Sequence, residues 1–225
     1  MPSPLVMFDL DGTLFHTAPD LMESLNHVIG GMGLSPVEYD DMTFLVGSGA
    51  RAMIARALEL RETEIASSEF EGLFTRFLEH YSASMPGTSQ PYPGVVEAMD
   101  RLAAAGYALA VCTNKTETMA RRLLKLTGHL PRFAAVTGGD TFAVRKPDAD
   151  HLHGTVRLAD GDPARSIMIG DSINDISAAR RAGIVSIGVP FGYSETAMTE
   201  LGPDHIISHY KELTPELVGR LLNGS

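Results

Sequence analysis

The stretch Leu5-Val6-Met7-Phe8-Asp9-Leu10-Asp11-Gly12-Thr13-Leu14 runs from four apolar residues straight onto two carboxylates. Leu5–Phe8 reads as a buried strand. If extended geometry persists through Leu10, Asp9 and Asp11 share one side while Leu10 turns away, and Gly12 lets the chain bend sharply. Two carboxylates held close repel unless one is protonated or a cation lies between them. That pairing suits a divalent cation bound by hard oxygen ligands, and also a nucleophile working beside an acid/base. Ordinary turn chemistry of Asp and Gly is the competing reading, and the rest of the chain decides between them.

With 225 residues, 44% of them hydrophobic and 20% charged, the chain can bury a proper core. Its net charge of −10 argues against a nucleic-acid surface, which depends on many Lys and Arg neutralising phosphates. A small anionic substrate is compatible if a metal and a few local cations offset the field. The single cysteine, Cys112, excludes an internal disulfide and lies in the apolar run Ala108–Cys112, where it reads as a small buried hydrophobe. No run is long enough to span a bilayer, so no membrane partner is expected. The first strand begins too early to leave room for a cleaved signal, which gives a cytoplasmic expectation. The assembly expected is a monomer or a homodimer.

Beyond Leu14 the pattern turns helical. Thr17, Pro19 and Asp20 mark a helix start by capping-box spacing, and Leu21, Leu25, Val28 and Met32 form one face. Ser35-Pro36 with Glu38 predicts a second helix to about Val46. A glycine-spaced turn, Val46-Gly47-Ser48-Gly49-Ala50-Arg51, leads into a helix through Leu60. Phe70, Leu73, Phe74, Phe77, Leu78 and Tyr81 keep helical spacing and read as bundle core. The turn-rich segment 85–94 then returns the chain to the first strand's domain. From there strands and helices alternate: strands at Tyr107–Cys112, Ala134–Val136, Ser166–Gly170, Ile184–Gly188 and Asp204–Ile207, with helices between.

That alternation predicts an α/β fold, a Rossmann-like parallel sheet covered by helices on both faces. The core domain is assigned to residues 1–14 and 89–225, and a small α-helical cap domain to residues 15–88, inserted after the first strand. Ligands of such sheets sit outside the carboxyl ends of the strands. Asp9/Asp11, Thr113/Asn114 and Asp171/Asp175 fall at three such ends, and Lys146 follows a fourth. The set fits phosphoryl transfer, which needs positioning and charge stabilisation more than elaborate covalent chemistry. Mg²⁺ between Asp9 and Asp171 would cancel repulsion between an anionic nucleophile and an anionic substrate, with Lys146 and the Thr113 hydroxyl on the phosphoryl oxygens.

Asp9-x-Asp11-Gly12-Thr13, Thr113-Asn114, Lys146-Pro147 and Gly170-Asp171-Ser172-x-x-Asp175 together resemble the four motifs of the haloacid dehalogenase superfamily in its phosphatase branch. The resemblance implies that Asp9 attacks phosphorus and becomes an aspartyl-phosphate, and that Asp11 protonates the leaving oxygen and then activates water. It implies Mg²⁺ ligation by Asp9, the backbone carbonyl of Asp11 and Asp171, with Asp175 orienting metal-bound water. Ala18-Pro19-Asp20-Leu21, Val46-Gly47-x-Gly49, Pro93-Gly94-Val95 and Gly138-Gly139-Asp140-Thr141 are similar to phosphoglycolate phosphatases. The substrate implied is a small phosphorylated metabolite, 2-phosphoglycolate first. A sugar phosphate, pyrophosphate, or the phosphoryl shuttle of a phosphomutase are the alternatives, followed by a non-catalytic phosphate-binding protein. Two departures are His16, where relatives often carry Asp, and Ala149, where a proline is common.

Arg51, beside the glycine-spaced turn, is the candidate for a substrate carboxylate, and Asn114 is a second substrate-binding candidate. No histidine shows ligand spacing tied to the acidic cluster. The segments near Phe15–Thr17 and Gly87–Tyr92 are the expected hinges of a cap that closes for phosphoryl transfer and opens to admit water.

Overall fold

The computed structural model describes residues 3–40 and 43–224. Strand β1 (Ser3–Phe8) leads through the Asp9–Thr13 turn to a short strand β2 (Phe15–His16) and helices α1 (Ala18–Gly30), α2 (Ala50–Glu59) and α3 (Ser67–Ser84). A short β3 (Gln90–Pro91) then pairs antiparallel with β2, so both connections to the helical segment run through one two-stranded ribbon. These are the segments expected as hinges.

The core follows as α4 (Val95–Ala104), β4 (Ala108–Cys112), α5 (Glu117–Leu126), β5 (Ala135–Thr137), α6 (Ala149–Leu158) and β6 (Gly161–Gly170). It closes with α7 (Ile173–Ala182), β7 (Val185–Gly188), α8 (Met198–Leu201), β8 (His205–Ile206) and α9 (Pro215–Leu222). The sheet order is β5-β4-β1-β6-β7-β8 and every pairing is parallel, as the alternation predicted. β1 lies inside the sheet, with Leu5–Phe8 buried on both faces, which is why it reads as an unbroken apolar run. β6 starts five residues before its buried part, because Gly161 pairs with Ser3 at the exposed end of the sheet. Hydrophobic pattern reports only the buried half.

Three local expectations are corrected. No helix forms over 35–40: the Asn26 side chain clamps both the N–H and the carbonyl of Val37, at 2.8 and 3.1 Å, taking the groups a helix would use. The Arg61 guanidinium holds the carbonyls of Ser35 and Pro36. Residues 41 and 42 of that expected helix lie outside the described residues, and Thr43–Ser48 is a 3-10 turn. Second, Thr17 and Asp20 form no capping box. Thr17 Oγ1 donates to Asp11 Oδ1 at 2.6 Å, and Asp20 accepts from Thr88 N, Thr88 Oγ1 and Ser89 Oγ, tying the two ends of the helical segment together. Third, the α3 stripe is only partly core, since Phe74, Phe77, Leu78 and Tyr81 also line a cavity.

The cap of α1 is supplied from far along the chain. Tyr193, in the loop after β7, accepts the N–H of Thr17 at 2.8 Å and of Ala18 at 3.1 Å on its phenol oxygen, and His16 Nδ1 lies 2.8 Å from the same atom. Thr17 and Ala18 are fully buried. Tyr193→Phe therefore strands two buried donors at the start of α1, and unfolding by urea should show a loss of about 1–3 kcal/mol. Unchanged stability would mean that water reaches these groups.

Candidate active site

The ends of the central strands bring the acidic residues together. Asp9 leaves β1 with its N–H donated to Ile169 O at 2.9 Å, and the chain reverses at Gly12, whose φ is +81°. A Cβ there would stand 2.3 Å from Asp171 Oδ2, so only glycine lets the Asp9–Asp11 turn and the Asp171 loop approach this closely. Asp171 accepts from Thr13 Oγ1 at 2.9 Å and from Tyr193 N at 2.7 Å. Asp175, in the first turn of α7, accepts from Ser172 N and Ser172 Oγ on one oxygen and from Lys146 Nζ, at 2.6 Å, on the other. It thereby also caps α7.

One carboxylate oxygen each from Asp9, Asp171 and Asp175 lies within 4.8 Å of the others, and all three residues are buried. Burial pushes the Asp9 carboxyl up to about 6; Lys146 pulls it back, and Asp175 and Asp11 add to the rise. Burial, then Asp175 and Asp9, hold Asp171 well above the ordinary range. Lys146 Nζ stands 2.9 Å from Asp9 Oδ1, which makes no hydrogen bond of good geometry. Burial disfavours the Lys146 ammonium, but Asp175 and Asp9 more than offset it and keep it charged. Three crowded, desolvated carboxylates facing a single ammonium fit a divalent cation. The Asp11 carboxylate is outside this group; the expectation for it concerned its backbone carbonyl.

Asp11 instead meets Lys115. Its two oxygens accept from Lys115 Nζ at 3.0 Å each, and Thr17 holds one of them. The Lys115 ammonium also sits 4.4 Å from the Tyr81 ring centroid. Burial lowers its proton affinity, but Asp11 and Tyr81 outweigh this and raise it. Beside this pair, a cavity of about 310 Å³ opens between α2, α3 and the ends of β4 and β5, with Asp11, Lys115 and Tyr81 at its wall.

Thr113 is buried at the end of β4, where its hydroxyl accepts from Lys115 N at 3.2 Å. Asn114 donates to the carbonyls of Gly47 and Lys146, at 3.3 and 3.1 Å, and Asn174 donates to the same Gly47 carbonyl at 3.2 Å. Asn114 thus joins the α2 turn to the sheet as well as lining the cavity. Arg51 also lines the cavity, but its guanidinium grips Glu71 at 2.6 and 2.8 Å and lies 4.0 Å from the Phe74 ring centroid. The structure therefore assembles Asp9, Asp171, Asp175 and Lys146 in one cluster, sets Asp11, Thr113 and Asn114 beside it, and leaves Arg51 committed elsewhere.

The family model for haloacid dehalogenase-like hydrolases matches residues 6–189, from within β1 to just past β7. The chain belongs to this family. The hydrolase is 58% identical over 221 residues to a phosphoglycolate phosphatase of Agrobacterium fabrum, covering 98% of this chain and 95% of that protein. It is 46% identical to a phosphoglycolate phosphatase of Mesorhizobium japonicum over 100% of this chain and 99% of that one. Among solved structures, a predicted phosphoglycolate phosphatase from Haemophilus somnus superimposes with a TM-score of 0.86 at 30% identity, covering 92% of this chain and 95% of that chain. Among the described residues, no helix of the hydrolase is long and apolar enough to cross a membrane.

Sequence reading gave no functional role to Lys115, Tyr193 and His151. Lys115 carries a signal that could have been used, a lysine two residues beyond Thr113 at a strand end. His151 and Tyr193 carry none. His151 is wholly buried, its Nδ1 accepts the Lys146 N–H at 3.1 Å, and burial, then Lys146, pushes its imidazole down to about 4, so it stays neutral and pins the loop that delivers Lys146.

Proposed function

We propose that this hydrolase cleaves 2-phosphoglycolate to glycolate and phosphate with Mg²⁺, through an aspartyl-phosphate on Asp9. The observation that carries the reading is the buried Asp9–Asp171–Asp175 cluster on Lys146, beside a cavity of small-metabolite size. The phosphoglycolate phosphatases similar to it over nearly its whole length support the substrate.

Asp9 attacks phosphorus while the P–O ester bond breaks, and Asp11, protonated once it parts from Lys115, gives that proton to the leaving glycolate oxygen. Asp11 then takes a proton from the water that attacks phosphorus, which frees phosphate and restores Asp9. Lys146 and Thr113 stabilise the phosphoryl oxygens. Asp9, Asp171, Asp175 and the Asp11 carbonyl would hold Mg²⁺, which when bound neutralises charge between nucleophile and phosphoryl group. Residues 15–88 form the cap over this chemistry. The cytoplasm is the proposed location.

Phosphate release from 2-phosphoglycolate should exceed that from sugar phosphates, nucleotides and pyrophosphate in kcat/KM, and should stop with chelator. Better turnover of another ester would overturn the substrate. Isomerised sugar phosphate without free phosphate would overturn hydrolysis itself.

A further inference from the structure

We infer that Arg145, and not Arg51, is the residue that selects a carboxylate on the phosphoester. The inference rests on the proposed reading of a small carboxylated phosphomonoester as substrate.

Three cationic side chains line the cavity: Arg51, Lys115 and Arg145. Two are already matched to carboxylates. Arg51 meets Glu71 with both terminal nitrogens and stacks on Phe74, so a substrate would have to displace a bidentate ion pair to use it. Lys115 places its ammonium equidistant, at 3.0 Å, from both oxygens of Asp11. The Arg145 carbonyl accepts from Asp148 N at 2.9 Å, but its guanidinium has no hydrogen bond, ion pair or ring contact among the described residues. An exposed guanidinium at a cavity wall without a carboxylate, in a chain of net charge −10, is the one lining cation open to an incoming anion.

Its position matches the chemistry of the substrate. In a 2-phosphoglycolate-like ester a single carbon separates the ester oxygen from the carboxylate carbon, so the cation for the carboxylate has to stand close to the one that serves the phosphoryl group. Arg145 is the chain neighbour of Lys146, whose ammonium sits on Asp9. Lys146 is buried in the acidic cluster, and Arg145 lines the cavity together with Asp11 and with Asn114, whose amide holds the Lys146 carbonyl at 3.1 Å. Gly49, with φ of +88°, lies beside the guanidinium: a Cβ there would be 4.0 Å from Arg145 Nη1 and 3.4 Å from Asn114 O, both ordinary contacts. The planar fork of an arginine suits bidentate capture of a carboxylate, and lysine would supply charge without that geometry.

The test compares 2-phosphoglycolate with its neutral isostere 2-phosphoglycolamide, and with other phosphoesters that carry a carboxylate, in wild type, Arg145→Ala, Arg145→Lys and Arg51→Ala. Wild type should favour the acid over the amide. Arg145→Ala should lower that selectivity on the order of 10- to 100-fold, through a higher KM for the acid, with amide turnover unchanged. Arg145→Lys should recover part of it, and Arg51→Ala should leave it in place. Selectivity intact in Arg145→Ala overturns the inference while 2-phosphoglycolate stands as substrate. A different carboxylated ester favoured, with Arg145-dependent selectivity, overturns 2-phosphoglycolate and upholds the inference. No preference for acid over amide in wild type overturns both. Loss of acid and amide in equal measure in Arg145→Ala also overturns the inference, because it marks a general structural role.

Discussion

Asp9→Asn is expected to remove turnover by on the order of 10⁴-fold or more and, in chelator, to make the protein more stable. An amide cannot attack phosphorus, so neither phosphate release nor a phosphoenzyme mass shift should survive; retained activity would sink the mechanism. The stability gain follows from the Asp9 carboxyl, raised by burial from its ordinary 3.8 to about 6. Because the folded state binds this proton more tightly than the unfolded chain does, the group contributes nothing unfavourable below about pH 4. It becomes a growing penalty as pH rises from about 4 and is complete just above 6. The full penalty above that point is on the order of 1–3 kcal/mol. Lys146 keeps its 2.6 Å bond to Asp175 in the variant, so the exchange strands no cation. Urea unfolding in chelator should therefore show wild type weakening between pH 4 and 6 relative to Asp9→Asn. A variant that is less stable than wild type at pH 7 would contradict this account.

Lys146→Met should do the opposite to stability. Lys146 is 2% exposed and bridges Asp9 and Asp175 at 2.9 and 2.6 Å. Its removal leaves three buried carboxylates facing one another without a cation, for which a loss of roughly 3–5 kcal/mol is expected, along with at least about 100-fold in kcat from lost stabilisation of the phosphoryl oxygens. Added Mg²⁺ replaces part of the missing charge, so the rise in Tm on adding Mg²⁺ should be larger in the variant than in wild type. Equal Mg²⁺ responses would show that the cluster is not where the cation binds.

Much of this molecule is legible from one residue to the next. Leu5–Phe8 must be a strand because it is buried on both faces, and the alternation after Pro93 predicts the parallel sheet that forms. The acidic and basic residues at four strand ends are fixed to one edge by that topology alone. Local signals fail where a partner distant in sequence takes the group they depend on. Thr17 and Asp20 have capping-box spacing, yet Asp11 and the 88–89 turn take their side chains, and Tyr193 caps the helix instead. Ser35–Glu38 has a helix start, yet Asn26 holds the Val37 backbone.

The sequence by itself determined the fold class, the order of the elements and which carboxylates share the active-site edge. Hydrophobic period and strand-end position are local properties that a parallel sheet turns directly into geometry. The tertiary structure alone decided which cation serves which carboxylate: Lys146 for Asp9 and Asp175, Lys115 for Asp11, Glu71 for Arg51, and Arg145 left facing the cavity. Ion pairing depends on distance and burial between segments tens of residues apart, and neither quantity is written in the spacing of the residues along the chain.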